Sequence, residues 1–172
     1  MLPASPVVEH NGMAAEVTEL TQEVLNEMFS YVDGRLYWKR RGNKEAGVVG
    51  KRGYRIVGIN YKRHMVHRLV WVMHGNEPVP LLDHIDGNKL NNRIENLRPA
   101  TKSQNMMNAA PYRSNTSGIK GVSWISTIKR WTGQVTYQGK IYKAGVFRDK
   151  EECAIAVRIL REKLHGEFAR HA

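Results

Sequence analysis

The sequence predicts an α+β fold made of two parts joined by a polar connection. Between residues 18 and 110, short strand patterns alternate with helical apolar patterns, and hairpin-forming turns separate them. Residues 111–117 contain one proline together with serine, asparagine and threonine, a composition typical of a linker. Residues 118–170 then follow the pattern of three strands and one long helix. We therefore expect a small three-stranded antiparallel sheet, backed by a helix, after the first part.

The first part is predicted to contain a helix, two hairpins and a second helix before its most polar motif. Residues 1–17 form a leader with two early prolines, which we expect to be disordered. A short helix is predicted after Thr21 as its cap, and an Asp-Gly turn precedes the predicted strand Arg35–Arg40. A second hairpin is predicted across residues 54–66, followed by a buried helix from Val66 to His74.

Basic charge is concentrated after the first 30 residues. Those residues contain five glutamates and no lysine or arginine, whereas the rest of the chain carries 27 basic and 11 acidic residues. The whole chain has a net charge of +11. Such an excess favours a partner that carries phosphate, with a general solubility role as the alternative.

The single cysteine, Cys153, excludes an intramolecular disulfide, and the chain has no Cys-x-x-Cys pair for a zinc ribbon. A reducing, intracellular setting is therefore expected. No stretch approaches the roughly 18 apolar residues of a membrane span, and the N-terminus lacks the basic-then-apolar order of a signal peptide. We expect a cytoplasmic protein with no membrane partner.

The motif most indicative of chemistry combines an Asp-His pair with two asparagines. Asp83 and His84 are adjacent, Asn96 follows Asp83 by thirteen residues, and Asn105 follows Asn96 by nine. Asp83 and Asn105 are candidate oxygen ligands of a hard cation, and Asn96 is expected to brace the intervening loop. His84 is the candidate base, because an imidazole titrates near neutrality. Together these residues predict a site that cleaves phosphodiesters with one divalent cation.

Each of these residues also has an ordinary structural interpretation. Asp83 could cap a turn, His84 could be a packed core residue, and Asn105 could be an exposed helix residue. The bracing role of the other asparagine is structural in any case. Two further histidines, His67 and His74, lie on the predicted helix without a carboxylate at ligand spacing, so both are interpreted as packed or phosphate-contacting residues.

Around these residues the sequence resembles the HNH endonuclease family, in its His-Asn-Asn branch of free-standing and homing-type phage enzymes. The similarity covers Tyr37-Trp38-Lys39-Arg40, His67-Arg68-Leu69-Val70-Trp71, Asp83-His84, Asn91-Asn92-Arg93 and Asn105. The resemblance implies a ββα-metal (His-Me finger) fold at about residues 81–108. It also implies that His84 is the base, that Asp83 and Asn105 hold Mg²⁺, and that Asn96 fixes the loop.

The resemblance also implies a reaction and a cofactor. Many relatives carry His at the position of Asn105, and an amide oxygen suits the oxygen preference of Mg²⁺, with Mn²⁺ as a possible substitute. The implied activity is site-specific hydrolysis of double-stranded DNA, leaving 5′-phosphate and 3′-hydroxyl ends, in a bacterial host cell if the gene is phage-encoded. One site per chain is compatible with a monomer or a weak dimer, and it leaves nicking and double-strand cutting open.

The second part resembles an AP2-type DNA-binding domain. The matching features are Gly118-Ile119-Lys120-Gly121-Val122, Trp131, Ala144-Gly145-Val146-Phe147 and a helix ending in Leu164-His165-Gly166. Such domains place their three-stranded sheet in the major groove. Alternation predicts that Val122, Val135 and Tyr142 face the helix, while the polar residues between them face outward.

The residues expected to contact DNA carry basic, amide or hydroxyl side chains. Arg93 and Arg98 could hold a phosphate, with pairing to Glu95 as the alternative. For the candidate residues in the second part of the chain, the alternative to DNA contact is that they form a solvated polar face of the sheet. The full set is Arg93, Arg98, Lys120, Ser123, Lys129, Arg130, Gln134, Thr136 and Lys143.

Two rival functions remain open from the sequence. The first is a DNA-binding regulator or accessory protein that has the same fold but does not cut. The second is an RNA-binding protein, which is disfavoured because the sequence contains no RNA-module motif.

Overall fold

The computed structural model describes residues 19–112 and 114–171, in which helices and short antiparallel strands are mixed. The leader expected at residues 1–17 lies outside the described residues. The helices are α1 (Gln22–Met28), α2 (Val66–Met73), α3 (Lys102–Asn108) and α4 (Lys150–His165). The strands are β1 (Phe29–Val32), β2 (Arg35–Trp38), β3 (Lys44–Glu45), β4 (Val48–Val49), β5 (Arg55–Ile59), β6 (Lys62–Met65), β7 (Leu82–His84), β8 (Leu97–Pro99), β9 (Val122–Ile125), β10 (Arg130–Tyr137) and β11 (Lys140–Phe147).

The first hydrophobic core forms where α1 and α2 pack against two small sheets, β1-β2-β3 and β4-β5-β6. Helix α1 begins at the predicted cap, since the Thr21 hydroxyl accepts a hydrogen bond from the Val24 N–H. Leu25, Phe29 and Val70 are at most 1% exposed at the centre of this core. The apolar stripe of α2 therefore anchors the helix, and α2 in turn supports the segment that follows it.

A β-hairpin and a short helix follow α2. Strands β7 and β8 pair antiparallel, with Asp83 opposite Arg98 and His84 opposite Leu97. Strand β8 begins at Leu97, after a polar loop whose residues 94–96 form a 3-10 turn. Helix α3 opens with a capping box, in which the Thr101 and Gln104 side chains accept hydrogen bonds from each other's backbone N–H groups.

The second core lies between α4 and the three-stranded antiparallel sheet β9-β10-β11. Val122 and Val135 are buried against α4 as predicted, together with Val157. Gly133 permits this close approach, since a Cβ there would lie 2.4 Å from the Val157 side chain. Tyr142 pairs with Val135 and so lies on the predicted face of the sheet, but it is 36% exposed there.

The two parts contact each other through side chains of the second part. The Lys120 Nζ donates to the backbone oxygens of Met107 and Ala109 at the end of α3. A cleft of about 770 Å³ separates α3 and the connection from the sheet, and Gln134 and Thr136 line it. Among residues 19–112 and 114–171, no helix has the length and apolar character needed to cross a membrane.

Candidate active site

Asp83 and His84 lie side by side on β7 and are both nearly inaccessible, at 5% and 4% exposure. Arg68 on α2 holds the segment that precedes β7. Both terminal nitrogens of Arg68 donate to the Val79 carbonyl, at 2.9 and 2.8 Å. One of them also donates to the Pro80 carbonyl at 2.9 Å. The helix therefore holds the segment that leads into the site.

The Asp83 carboxylate is held by two neighbours. The Arg98 guanidinium donates from Nε and Nη2 to Asp83 Oδ2 at 3.1 and 3.0 Å. The Asn108 Nδ2 lies 3.0 and 2.9 Å from Asp83 Oδ1 and Oδ2, and it also donates to the His84 backbone oxygen at 2.7 Å. Charge-assisted bonds of this kind orient a buried carboxylate strongly, and Oδ1 carries fewer of them than Oδ2.

The His84 imidazole is oriented by Asn92. His84 Nε2 lies 3.0 Å from the Asn92 Oδ1. With the amide assigned in this orientation, the oxygen accepts the Nε2–H, and the lone pair of the neutral ring is then on Nδ1. The arrangement suits a ring that accepts a proton at Nδ1.

A second histidine packs against the first. The His67 ring lies edge-on to His84, with 5.0 Å between ring centroids, and 5.3 Å from Tyr54. Burial, reinforced by the nearby charges of His84 and Arg68, lowers the pKa of His67 to about 4. His67 is therefore a neutral, packed residue at pH 7, and its buried Nδ1 has no hydrogen-bond partner among the described residues.

The loop between β7 and β8 is held by Asn96. Its Nδ2 donates to Asp86 Oδ1 at 2.9 Å and to the Asn91 backbone oxygen at 2.8 Å, and its Oδ1 accepts the Asp86 N–H at 3.1 Å. Burial alone would raise the pKa of Asp86, but hydrogen bonds from Asn91, Asn96 and the Asn88 N–H outweigh it and lower the pKa. Asn96, near the end of the loop, is thus hydrogen-bonded to Asp86 at its start and to Asn91 in its middle.

Asn105 lies on α3, half-buried, three residues before Asn108. Residues three apart on a helix share a face, so the two amides lie on neighbouring positions of the same side of α3. Within residues 19–112 and 114–171, the Asn105 side chain makes no hydrogen bond, whereas Asn108 is committed to Asp83.

The donors present fit a hard cation. No cluster of three or more His, Cys, Asp or Glu side chains suited to a metal occurs among the described residues. The available donors are a carboxylate oxygen of Asp83 and the amide oxygen of Asn105. An oxygen set of this size, completed by water and phosphate, matches the habits of Mg²⁺ and not those of structural zinc.

The candidate DNA contacts divide into two groups. Ser123, Lys129, Gln134, Thr136 and Lys143 are exposed, and Arg130 is half-buried at the start of β10. Arg93 is largely exposed and pairs with Asp33 at 3.3 Å. Arg98 and Lys120 are engaged inside the protein instead, on Asp83 and on the carbonyls at the end of α3.

A scan against protein families matches the HNH endonuclease family over residues 64–107, which include Asp83, His84, Asn96 and Asn105. Protein 3.8 of Escherichia phage T7 is 41% identical over 115 residues, covering 64% of this chain and 92% of that protein. The chain carries an HNH endonuclease family domain at residues 64–107. Two uncharacterized HNH endonucleases of Acanthamoeba polyphaga mimivirus are each 34% identical, over 70% and 51% of this chain and over 63% and 28% of their own lengths. No solved structure matches the chain significantly.

Sequence reasoning missed two side chains of the site in this HNH protein, Asn92 and Asn108. Asn92 is 2% exposed and bonds the His84 ring, and Asn108 is 4% exposed and bonds the Asp83 carboxylate and the His84 backbone oxygen. The signal for Asn108 was available, since it stands three residues after Asn105 on the same helix. For Asn92 only the loop conformation decides that the second asparagine of its pair, and not the first, reaches His84.

Proposed function

We propose that this HNH protein is a Mg²⁺-dependent, site-specific endonuclease of homing type that hydrolyses double-stranded DNA. Mn²⁺ is the expected substitute, and the products carry 5′-phosphate and 3′-hydroxyl ends. The observation that supports this best is the pairing of His84 with Asn92 beside the held carboxylate of Asp83. That combination supplies an oriented base next to a cation ligand, which is what metal-assisted hydrolysis requires.

In this proposal, His84 accepts a proton from the attacking water at Nδ1, while Asn92 keeps the other nitrogen protonated. Asp83 supplies a carboxylate oxygen to the cation, and Asn105 supplies the amide oxygen. A bound Mg²⁺ would act as a Lewis acid that stabilises the charge developing on the phosphate and on the leaving oxygen. Asn96 keeps the loop in the conformation that carries the Asp-His pair.

We further propose that residues 18–110 are the nuclease domain, with a ββα-metal core formed by β7, β8 and α3. Residues 111–117 are the linker, and residues 118–170 are an AP2-like domain that reads the major groove. The antiparallel sheet backed by α4 supports this assignment. The exposed polar side chains of the sheet and of its first turn are the proposed DNA contacts: Ser123, Lys129, Arg130, Gln134, Thr136 and Lys143.

The setting proposed for this activity is the cytoplasm of a bacterial host, which the similarity to a phage T7 protein supports. A monomer or a weak dimer is proposed, and one Asp-His pair per chain is compatible with both. The excess of basic charge favours duplex binding that weakens steeply with salt.

The test is cleavage of supercoiled plasmids carrying candidate target DNA, with Mg²⁺, by wild type and by His84→Ala. Wild type should give nicked or linear product, and His84→Ala should reduce the rate by about 10²- to 10⁴-fold, the usual contribution of a general base. His64→Ala, which removes an imidazole from β6, is the matched control and should cut normally. Equal cutting by His84→Ala would exclude His84 as the base.

One observation favours a second function, that of a DNA-binding protein that does not cut. The Arg98 guanidinium neutralises Asp83 at 3.0 Å, which opposes cation binding at the same carboxylate. Under this alternative, wild type and His84→Ala would bind target DNA with the same affinity, and neither would cleave it with Mg²⁺ or Mn²⁺.

A further inference from the structure

The chain returns to the candidate active site after its last long helix. Residues 166–168 form a 3-10 turn at the end of α4, and residues 169–171 continue from it. We call residues 166–171 the C-terminal strap. Phe168 in this strap is only 5% exposed, and the 3-10 turn contacts α3 of the nuclease part.

The strap contacts the nuclease part through Arg98. While Nε and Nη2 of Arg98 face Asp83 Oδ2, the remaining nitrogen, Nη1, donates to the Glu167 backbone oxygen at 2.8 Å. The guanidinium carbon lies 3.7 Å from the centroid of the Phe168 ring, which is a close cation–π contact. All three guanidinium nitrogens of Arg98 therefore donate hydrogen bonds, two to the Asp83 carboxylate and one to the strap.

A second strap residue reaches the same site. Arg170 Nη1 donates to the Asn108 backbone oxygen at 3.3 Å. The Arg170 guanidinium also lies against Gly87 in the loop after His84, at a position that a Cβ on Gly87 would occupy. Gly87 has a φ of +70°, a backbone conformation that favours glycine, and its lack of a Cβ leaves room for the Arg170 guanidinium. The strap thus meets β8, α3 and the loop, the three elements that carry the proposed site.

We propose that the C-terminal strap is a positioning element of the nuclease site, in which Phe168 and the Glu167 carbonyl hold Arg98 so that Arg98 holds Asp83. This inference rests on the proposed function and deepens it. A guanidinium fixed on Oδ2 keeps the buried carboxylate in one rotamer, with Oδ1 directed toward a cation. Without the ring and the carbonyl, Arg98 gains alternative rotamers and Asp83 loses its fixed orientation.

The strap belongs to the second part of the chain, which also carries the proposed DNA-reading sheet. The nuclease site is therefore completed by the same part that selects the target. The hydrogen bond from Arg98 to the Glu167 carbonyl and the ring contact with Phe168 both act on Arg98, so Phe168 and Glu167 are positioning residues. In this proposal, their effect reaches the cation through Arg98.

The test uses the full chain and compares wild type with Phe168→Leu, Phe168→Tyr and Glu167→Ala. Phe168→Leu keeps apolar bulk and removes the ring, whereas Phe168→Tyr keeps the ring. Glu167→Ala is the matched control, because only the backbone oxygen of Glu167 contacts Arg98. Mn²⁺ binding without DNA is measured by electron paramagnetic resonance, and the Arg98 Nε–H signal is followed by ¹⁵N NMR in the metal-free protein.

We expect Phe168→Leu to weaken Mn²⁺ binding by about tenfold and to move the Arg98 Nε–H signal toward the position of a solvated arginine. Phe168→Tyr should restore both properties, and Glu167→Ala should leave both unchanged. Circular dichroism checks that each variant folds. If Phe168→Leu does not fold, Phe168→Met takes its place as the ring-deletion variant.

Unchanged Mn²⁺ binding in the ring-deletion variant would overturn the positioning role. Tighter Mn²⁺ binding would overturn it too and would assign the strap an inhibitory role, with Arg98 blocking the carboxylate. If wild type neither binds Mn²⁺ nor cuts DNA, the proposed function fails. In that case, an Arg98 signal that is the same in wild type and Phe168→Leu would overturn the positioning of Arg98 as well.

Discussion

The imidazole of His84 at the end of β7 contacts the amide oxygen of Asn92, in the loop that leads to β8, across 3.0 Å, and both side chains are buried. This contact selects which ring nitrogen carries the proton, because an amide oxygen accepts hydrogen bonds and cannot donate them. The basic nitrogen of His84 is therefore chosen by a residue eight positions further along the chain.

Replacing Asn92 should change catalysis more than DNA binding. Asn92→Ala removes the acceptor for Nε2–H, and we expect the cleavage rate to fall by about 10- to 100-fold with unchanged DNA affinity. Asn92→Asp keeps an oxygen acceptor for Nε2–H and should retain more of the cleavage rate than Asn92→Ala. Cleavage rates and DNA affinities of the two variants measure both effects. Equal loss of rate in Asn92→Asp and Asn92→Ala would contradict the assigned contact.

Alanine substitutions of Asn108 and Asn105 should differ in their effects on stability and on metal binding. Asn108→Ala leaves the buried Asp83 Oδ1 without a donor among the described residues and removes one of the two donors to the His84 carbonyl, which keeps the Gly87 N–H. The free energy of unfolding should fall by about 2–3 kcal/mol. Asn105→Ala removes a half-buried amide without a hydrogen bond among the described residues, so stability should change by less than about 0.5 kcal/mol. Urea unfolding and Mn²⁺ titration distinguish the two.

In the same pair, Asn105→Ala should lose Mn²⁺ affinity if Asn105 is the second ligand. If Asn105→Ala binds Mn²⁺ like wild type and a folded Asn108 variant does not, the ligand on α3 is Asn108.

The buried His67 should make the protein less stable in mild acid. Its pKa is about 4 in the folded state, below the ordinary value of 6.5, so the unfolded chain takes up a proton first as the pH falls. The free energy of unfolding therefore contains the whole contribution of neutral His67 above about pH 6.5. This contribution decreases as the pH falls to about 4, by up to roughly 3 kcal/mol. Urea unfolding at several pH values should show a flatter dependence for His67→Phe than for wild type. An equally steep dependence in the variant would assign the acid sensitivity to other groups.

Two residues on the exposed face of the sheet β9-β10-β11 should have different effects on DNA binding, Lys143 on affinity and Gln134 on selectivity. Lys143→Ala should weaken binding to all sequences and reduce the salt slope of log K by about 1. Gln134→Ala should cost about 1–3 kcal/mol of discrimination between target and non-target DNA if it reads a base. Lys163→Ala, on the exposed side of α4, is the charge-matched control for Lys143. Equal effects of Lys163→Ala and Lys143→Ala would remove the sheet face from the DNA contact.

Much of the secondary structure could be predicted from local sequence signals. The caps at Thr21, Thr101 and Asp149 begin α1, α3 and α4, because a short polar side chain satisfies free backbone N–H groups without distant help. Alternation placed Val122 and Val135 inward correctly. Tyr142 lies opposite Val135 on the same face of the sheet, three residues after the turn residue Gly139, and is 36% exposed, so alternation predicted its face but not its exposure.

The sequence by itself determined the Asp-His pair, its two asparagines and the helices and strands that carry them, because spacing, capping and periodicity are local properties. Only the tertiary structure decided which side chains meet the pair. Arg98, a candidate for phosphate contact, lies on Asp83 and against Phe168, a residue seventy positions away. Asn92 and Asn108 join the site because the loop and α3 fold back over β7. Contacts between distant segments depend on how buried charges are paired and packed, and no local pattern encodes that pairing.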